Sequence, residues 1–302
     1  MTAVDGRVAP QTPVSAPAST VSAPQYRPSR RLDWKTIRFH GLMIPLALVW
    51  VMPIVFVALV AVRNFDDIAR NGLMAWPRSF DLSSFSNAWQ DGQGRALWNS
   101  IVVTVPAVVL TLFMSSLAAY ALSRYAIPFR RGLLLLMLAG NLLPPQMLLF
   151  PVAQMSESLG IYDTRLALVL LHVGFGLGFY TFVLHGFMRS IPDEITDAAK
   201  IDGAGPFRIY SRIIMPLTRP ALAALSALAT TWIFNDLLFS ITVLRSETKM
   251  PTTATLLNMQ GAYVSTWNNL AAASLIAAIP TALVFFAFQR HFVSGLLVGS
   301  SR

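Results

Sequence analysis

The stretch SIPDEITDAAKIDGAGPFRIYSRIIMPLTRP, residues 190–220, lies between two long apolar runs but is itself too polar to cross a bilayer. Ser190 and Asp193 have the spacing of a capping box, which predicts that a helix begins there. Gly203 predicts a left-handed residue that ends this helix, because glycine adopts positive φ without steric cost. The stretch therefore begins with one short helix outside the membrane.

A second short helix is predicted from Pro206 to Pro216, because proline fits a first helical turn and cannot continue an established helix. Within it, Phe207, Tyr210 and Ile214 fall on one face at helical spacing. Helices shorter than about 12–15 residues are marginal alone in water. The pair must therefore pack against its own membrane bundle or against another subunit.

Residues 190–220 resemble the EAA loop of ABC importer permeases, which reads Glu-Ala-Ala, three residues, Gly, nine residues, Ile, one residue, Leu-Pro. The chain keeps this spacing at seven positions, with Asp in place of Glu and Met in place of Leu: Asp197, Ala198, Ala199, Gly203, Ile213, Met215 and Pro216. In that family the loop is a coupling helix that docks in a cleft of the cytoplasmic ATPase. The resemblance implies this role here, with Asp202 included. The alternative, an amphipathic connection between two spans, does not require seven specified positions. We call residues 190–220 the EAA-like loop.

Composition places the chain in a membrane. Apolar residues make up 55% and charged residues 12%, against roughly 45–50% and 25% in soluble domains. Six apolar runs have the length of about 20 residues that crosses a bilayer, and they lie at about 42–62, 99–122, 132–153, 166–187, 220–243 and 269–293. We predict an all-α integral membrane protein with six transmembrane helices. The resemblance adds a cytoplasmic coupling helix and the type I ABC importer permease fold.

The net charge of +9 reports orientation rather than a nucleic-acid partner. Sixteen of the 23 lysines and arginines lie in the two termini and the even-numbered loops, whereas acidic residues divide almost evenly between the two sides. The positive-inside rule therefore puts both termini and the EAA-like loop in the cytoplasm. The predicted location is the cell membrane, with several passes.

Two segments differ sharply in composition. Residues 1–37 are rich in Pro, Ala, Ser, Thr and Val at their start and lack the apolar core of a signal peptide, so we predict a disordered cytoplasmic tail. Residues 38–302 are predicted to form one six-span permease domain that includes the EAA-like loop. The chain has no cysteine, which excludes disulfides, thiolate metal sites and cysteine nucleophiles.

Two predicted spans carry features that bear on packing. In the third, Pro144 and Pro145 follow Asn141 and predict a break near the middle of the membrane. Two interpretations stay open: the break borders a substrate cavity, or it is a structural kink alone. In the fourth, Gly174 and Gly178 predict a Gly-xxx-Gly face against a neighbouring helix.

One acidic residue, Asp236, falls inside a predicted span, and such residues are candidates for function. Together with Trp232 and Asn235 it is similar to the Trp-Asn-Glu-Phe-type signature of sugar importer permeases, with Asp for Glu. Two interpretations stay open: these residues line the substrate pathway, or Asp236 is hydrogen-bonded to a neighbouring helix. His172 and His185, thirteen residues apart with no carboxylate nearby in sequence, are predicted to have packing or interfacial roles.

The C-terminal part carries a second resemblance. The segment FQRHFVSG, residues 288–295, is similar to the end of maltose-type permeases. The segments LGIYDT at 159–164 and TWNNLAAAS at 266–274 add to the resemblance to this family. The resemblance covers residues 38–300. It implies one permease subunit of an ATP-driven importer of a sugar or oligosaccharide, which forms half of the translocation pathway.

The sequence contains no energy-converting chemistry. None of the three lysines, Lys35, Lys200 and Lys249, follows a glycine as a phosphate-binding loop requires, and there is no HExxH or serine-nucleophile motif. We therefore expect no enzyme, no cofactor and no metal in this chain. The resemblance implies that two partner ATPase subunits bind ATP and magnesium, and that a second permease, an extracytoplasmic solute-binding protein and membrane lipid complete the set of partners.

Two other classes are weighed against this one. An ion-coupled secondary transporter of a small polar solute would show internal repeats and paired intramembrane charges. An intramembrane enzyme would need a convergent set of acids, bases or metal ligands. The chain offers one intramembrane carboxylate and two scattered histidines, so both alternatives are weaker.

The predicted orientation can be tested by cysteine labelling, because the chain has no native cysteine. A membrane-impermeant thiol reagent added to intact cells should label Asp91→Cys and Glu247→Cys but not Arg131→Cys or Gly205→Cys. Labelling of Gly205→Cys from outside would overturn the orientation.

Overall fold

The computed structural model describes residues 34–260 and 266–298, and every regular element in these residues is helical. The α-helices are α1 (Trp34–Ala61), α2 (Phe65–Asn71), α3 (Ser83–Ala88), α4 (Gly94–Arg124), α5 (Arg130–Leu142), α6 (Leu149–Ser158), α7 (Arg165–Arg189), α8 (Asp193–Ile201), α9 (Pro206–Ile209), α10 (Met215–Phe234), α11 (Leu238–Val243), α12 (Thr252–Asn258) and α13 (Trp267–Val298).

The predicted tail lies almost wholly outside the described residues. Residues 34–37, which the sequence analysis assigned to it, already belong to α1. The chain divides into two compact units, residues 1–51 and 52–302, and α1 contributes to both.

The prediction of an all-α membrane protein is confirmed. Among the described residues, five helical segments are long and apolar enough to cross a membrane, and the bent pair of α5 and α6 makes a sixth if it is counted as one span. The five segments are Thr36–Ala61, Ser83–Arg124, Arg165–Arg189, Pro206–Phe234 and Trp267–Gln289.

The predicted break in the third span lies where the two prolines are. Helices α5 and α6 meet at 92°, and Leu143 and Pro144 between them are extended, with ψ of 134° and 124°. Proline lacks an N–H and pushes the preceding residue out of the helical region. A cavity of about 480 Å³ lies beside this bend, lined by α5, α6 and α7 and including Asn141, Gly174 and Gly178.

Two predicted helix boundaries are wrong. The fifth span does not run unbroken over 220–243, because α10 ends at Phe234 and α11 begins at Leu238. Pro216 does not end the second short helix either. A π-helical turn, Tyr210–Ile214, joins α9 to α10, and the Met215 N–H donates to the Tyr210 carbonyl. This wider turn brings Pro216 into the first turn of α10, where its missing N–H costs little.

Helices α4 and α7 form the centre of the bundle and pack along each other, with α10 beside both. The Ser115 hydroxyl donates to the Leu177 carbonyl at 3.3 Å, and a Cβ added at Gly176 would lie 2.6 Å from the Thr111 methyl. Small residues therefore let the two backbones approach closely. The buried residues of α4, α7, α10 and α11 make up most of the main apolar core.

The predicted Gly-xxx-Gly face is only half right. A Cβ added at Gly178 would lie 2.2 Å from the Met137 carbonyl oxygen of α5, whereas one added at Gly174 would meet nothing within 4 Å. Gly178 is the residue at the contact of α7 with α5, and Gly174 faces the cavity.

This difference yields a matched pair of substitutions. Gly178→Ala should lower the thermal stability of the purified protein, because backbone of α5 must move, at a cost of about 1–3 kcal/mol. Gly174→Ala has free space and should leave stability unchanged or slightly higher. Equal melting temperatures for the two variants would contradict the close contact of α5 and α7.

Candidate functional site

The EAA-like loop begins differently from the prediction. No side chain caps α8, whose first residue follows Pro192. The Ser190 hydroxyl instead donates to the Phe187 carbonyl at 2.7 Å, and the Asp193 carboxylate accepts from Arg124 of α4. The predicted capping box is therefore wrong, because both of its side chains bond elsewhere.

The predicted end of α8 is confirmed. Gly203 has a φ of +76°, its N–H donates to the Lys200 carbonyl at 3.0 Å, and the Ala204 N–H donates to the Ala199 carbonyl at 2.9 Å. These two bonds form a Schellman motif, which requires a left-handed residue at this position. A Cβ at Gly203 would meet no neighbour, so glycine is needed here for its backbone conformation alone.

The loop has a buried side and an exposed side. Its buried apolar residues join the main core, and they are Ile191, Ala199, Ile209, Tyr210 and Ile214. The exposed side presents Asp197, Ala198, Asp202 and Gly203. Of the remaining EAA-like positions, Ile213 and Pro216 are half-buried at the junction with α10. The candidate residues are thus divided: four form a surface and three connect it to the bundle.

The exposed surface carries charge and apolar area together. Asp197 pairs with Lys200 at 2.8 Å, but both side chains are more than 60% exposed, so water screens this pair. Ile201 and Phe207 are 87% and 75% exposed. Sequence reasoning missed Ile201, although it is an apolar residue next to the candidate Asp202 in a polar loop.

Three residues of α4 bond to the EAA-like loop, which the sequence analysis did not foresee. The Ser116 hydroxyl lies 2.7 Å from the Tyr210 hydroxyl, and the Tyr120 hydroxyl donates to the Pro206 carbonyl at 3.1 Å. Arg124 donates to the Met188 carbonyl at the end of α7, to the Ile191 carbonyl at the start of the loop, and to the Asp193 carboxylate. The spacing of four residues between these side chains was visible in the sequence, but the partners of their hydrogen bonds were not.

Asp236 lies in the break between α10 and α11. Its carboxylate accepts from the backbone N–H groups of Phe239 at 3.3 Å and Ser240 at 3.0 Å, and from the Ser240 hydroxyl at 3.0 Å. The hydroxyl of Thr253 donates to its backbone carbonyl. Asp236 therefore caps α11, and this local bonding is the reason the predicted continuous span is interrupted.

His172 of α7 faces this carboxylate. Its Nε2 lies 3.8 Å from the Asp236 carboxylate and makes no hydrogen bond among the described residues, although the side chain is only 2% exposed. Its ring also meets the Phe239 ring edge to face, with 5.8 Å between centroids. Sequence reasoning found no carboxylate near His172, because 64 residues separate the two.

The other two candidate pathway residues are more accessible than Asp236. Trp232 is 70% exposed. Asn235 is exposed as well, and its amide donates to the Thr231 carbonyl at 2.8 Å. The Asp236 side chain is 11% exposed. The arrangement offers an aromatic face and an amide at the surface, with a carboxylate and a histidine behind them.

A polar junction fixes the far end of α11. Asp163, in the LGIYDT segment, has a φ of +56°. Its carboxylate accepts from the N–H groups of Arg245 and Ser246 at 2.9 Å, and from Lys249 at 2.7 Å. The Lys249 ammonium, followed by Ser246, holds the pKa of Asp163 well below its usual range. The carboxylate thus stays ionised and ties the start of α7 to the segment after α11.

The geometry is that of a multi-pass membrane protein with one exposed, firmly held loop at an end of its bundle. Residues 16–298 match the model of the family described as "Binding-protein-dependent transport system inner membrane component". The chain belongs to this family.

Curated relatives agree with the family. The osmoprotective compounds uptake permease protein GgtD of Synechocystis sp. is 30% identical over 275 residues, which cover 88% of this chain and 92% of the relative. The alpha-glucoside transport system permease protein AglG of Rhizobium meliloti is 36% identical over 231 residues, 74% of this chain and 61% of the relative. The melibiose/raffinose/stachyose import permease protein MelC of Bacillus subtilis is 29% identical, over 74% of this chain and 82% of the relative.

A solved structure confirms the fold. In the crystal structure of a bacterial ABC transporter involved in the import of the acidic polysaccharide alginate, one chain superimposes with a TM-score of 0.75. The match covers 89% of this chain and all of that chain, at 23% identity. The type I importer permease fold predicted from the EAA-like loop is therefore confirmed.

Family membership also settles the class of activity. The chain is a multi-pass permease subunit of an ABC importer, as predicted, and not an enzyme. The secondary transporter and the intramembrane enzyme are excluded, because this family and its relatives are components of binding-protein-dependent systems.

Proposed function

We propose that this subunit imports a carbohydrate, most simply an oligosaccharide. Relatives are named for uptake of alpha-glucosides, of diacetylchitobiose and of melibiose, raffinose and stachyose. These solutes all present hydroxyl groups on a ring with an apolar face. The Trp-Asn-Asp sequence at 232, 235 and 236 supplies the matching aromatic, amide and carboxylate groups.

The proposed assembly places this chain beside a second permease in the lipid bilayer, with two ATPase subunits on the cytoplasmic side and a solute-binding protein on the other. A structural relative was solved as a transporter in complex with an alginate pentasaccharide-bound periplasmic protein. ATP and magnesium would be bound by the ATPase subunits, and both termini of this chain would be cytoplasmic.

The EAA-like loop is the proposed docking element for the ATPase, and its two-sided burial is the observation that carries the proposal. One side belongs to the core of the bundle, whereas Asp197, Ala198, Asp202 and Gly203 remain exposed. Small residues let a backbone enter a cleft closely, and a carboxylate can pair with a basic group on its wall. The exposed Ile201 and Phe207 add apolar area that gains by being covered.

The docking proposal is tested with two glycine variants that differ in backbone conformation. Gly203→Val forces a branched residue to positive φ, which costs about 1 kcal/mol or more and redirects the end of α8. Gly205→Val is the matched control, because Gly205 has an ordinary φ of −70° and free space. We expect both proteins to insert, but only Gly203→Val to lose ATPase subunits on purification and to stop transport.

A charge reversal tests the same surface without altering the backbone. Asp197→Lys should also release the ATPase, because it places a cation where a carboxylate faces the partner. Normal ATPase retention and normal transport by both Gly203→Val and Asp197→Lys would refute docking through this loop.

The solute pathway is proposed to pass Trp232 and Asn235, with Asp236 just behind them. Trp232→Ala should lower uptake of the binding protein's sugar about three- to tenfold at low concentration, because it removes the stacking face. Trp98→Ala is the control, since Trp98 is similarly exposed at 62% and lies on α4. Equal uptake by these two variants would remove Trp232 from the pathway.

Asp236 needs a test that separates charge from helix capping. Asp236→Asn keeps an oxygen that can accept from the Ser240 N–H, and it removes the negative charge. We expect reduced uptake with normal amounts of folded protein. Unchanged uptake at every solute concentration would reduce Asp236 to the cap of α11.

A further inference from the structure

One face of α4 carries a row of polar side chains that the docking proposal does not use. Ser116, Tyr120 and Arg124 lie at intervals of four residues, so they share a face over about 12 Å of helix. Each bonds to a different part of the segment between the end of α7 and the π-helical turn. The row therefore holds the EAA-like loop at its start, through the Ile191 carbonyl, and across its middle, at Pro206 and Tyr210.

The contacts in this row are buried. Ser116 is 0%, Tyr120 7% and Tyr210 4% exposed. The Ser116 hydroxyl already donates to the Phe113 carbonyl at 2.8 Å. Since serine has one hydroxyl proton, the Tyr210 hydroxyl must donate to Ser116. The Tyr120 and Tyr210 rings also pack together, with 5.3 Å between centroids.

At Arg124, the third position of the row, the hydrogen bonds to backbone carbonyls hold the loop more firmly than the ion pair does. The Arg124 side chain is 6% exposed and donates to the Met188 and Ile191 carbonyls at 2.9 and 3.0 Å. Its carboxylate partner Asp193 is 64% exposed, so solvent weakens that pair. Removing the guanidinium would leave the carbonyls of Met188, in the last turn of α7, and of Ile191, at the start of the loop, without this donor.

We propose that Ser116, Tyr120 and Arg124 are positioning residues that make the EAA-like loop move as one body with α4. The inference rests on the proposed docking of the ATPase at this loop. Between α8 and α10 the backbone departs from regular α-helix at two places, at Gly203 and at the π-helical turn. The row on α4 bridges both, so a displacement of the loop is transmitted to the helix at the centre of the bundle rather than lost at these joints.

A displacement of the EAA-like loop would reach the proposed solute pathway through helix packing. Helix α4 packs along α7 and α10, and the Ser115 hydroxyl bonds to the α7 backbone. Helix α7 carries His172 and α10 ends beside Asn235 and Asp236. A rigid link between loop and α4 therefore connects the ATPase side to the residues proposed to meet the solute.

A distance measurement in the assembled transporter tests the link. Spin labels are placed at Val109→Cys, exposed on α4, and at Glu194→Cys, exposed on α8 and outside the EAA-like positions. Pulsed electron resonance then gives the distance between them with and without AMP-PNP and magnesium. With native Ser116 and Tyr120 the distance should stay constant. With Ser116→Ala and Tyr120→Phe together it should shift by several ångströms when the nucleotide binds.

The control is Tyr180→Phe on α7. Tyr180 is 6% exposed, as buried as Tyr120, but the structure shows no hydrogen bond from its hydroxyl among the described residues. Its variant should keep the constant distance. If the double variant does not accumulate, the same distance is measured in Tyr120→Phe, which removes one hydroxyl. It should also change when the nucleotide binds.

Two results would overturn the inference: a nucleotide-dependent shift when Ser116 and Tyr120 are native, or a constant distance in the variants that lack these hydroxyls. Co-purification separates the inference from the docking proposal. If docking is right and positioning wrong, Asp197→Lys loses the ATPase while the α4 variants keep both the ATPase and the constant distance. If docking itself is wrong, Asp197→Lys keeps the ATPase.

Discussion

A chain inside a bilayer has to satisfy its own backbone polar groups, since hydrocarbon offers no substitute for water. At the breaks on either side of α10, backbone N–H groups find replacement hydrogen-bond partners. At the break after α10, the Asp236 carboxylate receives the N–H groups that begin α11. Before α10, a π-helical turn lets Met215 donate to Tyr210 ahead of Pro216. Between α5 and α6, Pro144 and Pro145 carry no N–H that would need a partner.

The same constraint explains how a polar loop can be held firmly against an apolar bundle. The EAA-like loop contributes buried apolar residues to the core, and its backbone carbonyls receive hydrogen bonds from α4. What remains exposed is a compact surface of small, acidic and apolar residues around Gly203. The proposed docking of an ATPase requires such a surface, because this chain itself carries no energy-converting motif.

Local signals in the sequence predicted the local structure well. The apolar runs located the spans, Pro144 and Pro145 located a break, and Gly203 located a left-handed residue. Each of these depends on the chemistry of one residue or of one contiguous run. Pro216 was misjudged because a π-helical turn, which no single residue announces, makes the proline compatible with a continuing helix.

Contacts between distant segments could not be predicted from a single sequence. The approach of His172 to Asp236 and the bond from Tyr120 to Pro206 involve residues 64 and 86 positions apart. The rotation of α7 likewise decided that Gly176 and Gly178, rather than Gly174, approach neighbouring helices. Such choices depend on which helices are adjacent, and helical periodicity alone does not contain that information.

We propose that the exposed tip of the EAA-like loop enters the ATPase. Disulfide cross-linking tests it most directly, because the chain has no cysteine of its own. Ala198→Cys should cross-link to a single cysteine in the ATPase cleft and give no product when the ATPase is omitted, whereas Asp91→Cys, on the predicted outer side, should give none. Absence of a cross-link at 198 in a fully assembled, transporting complex would refute docking of this loop in the ATPase cleft.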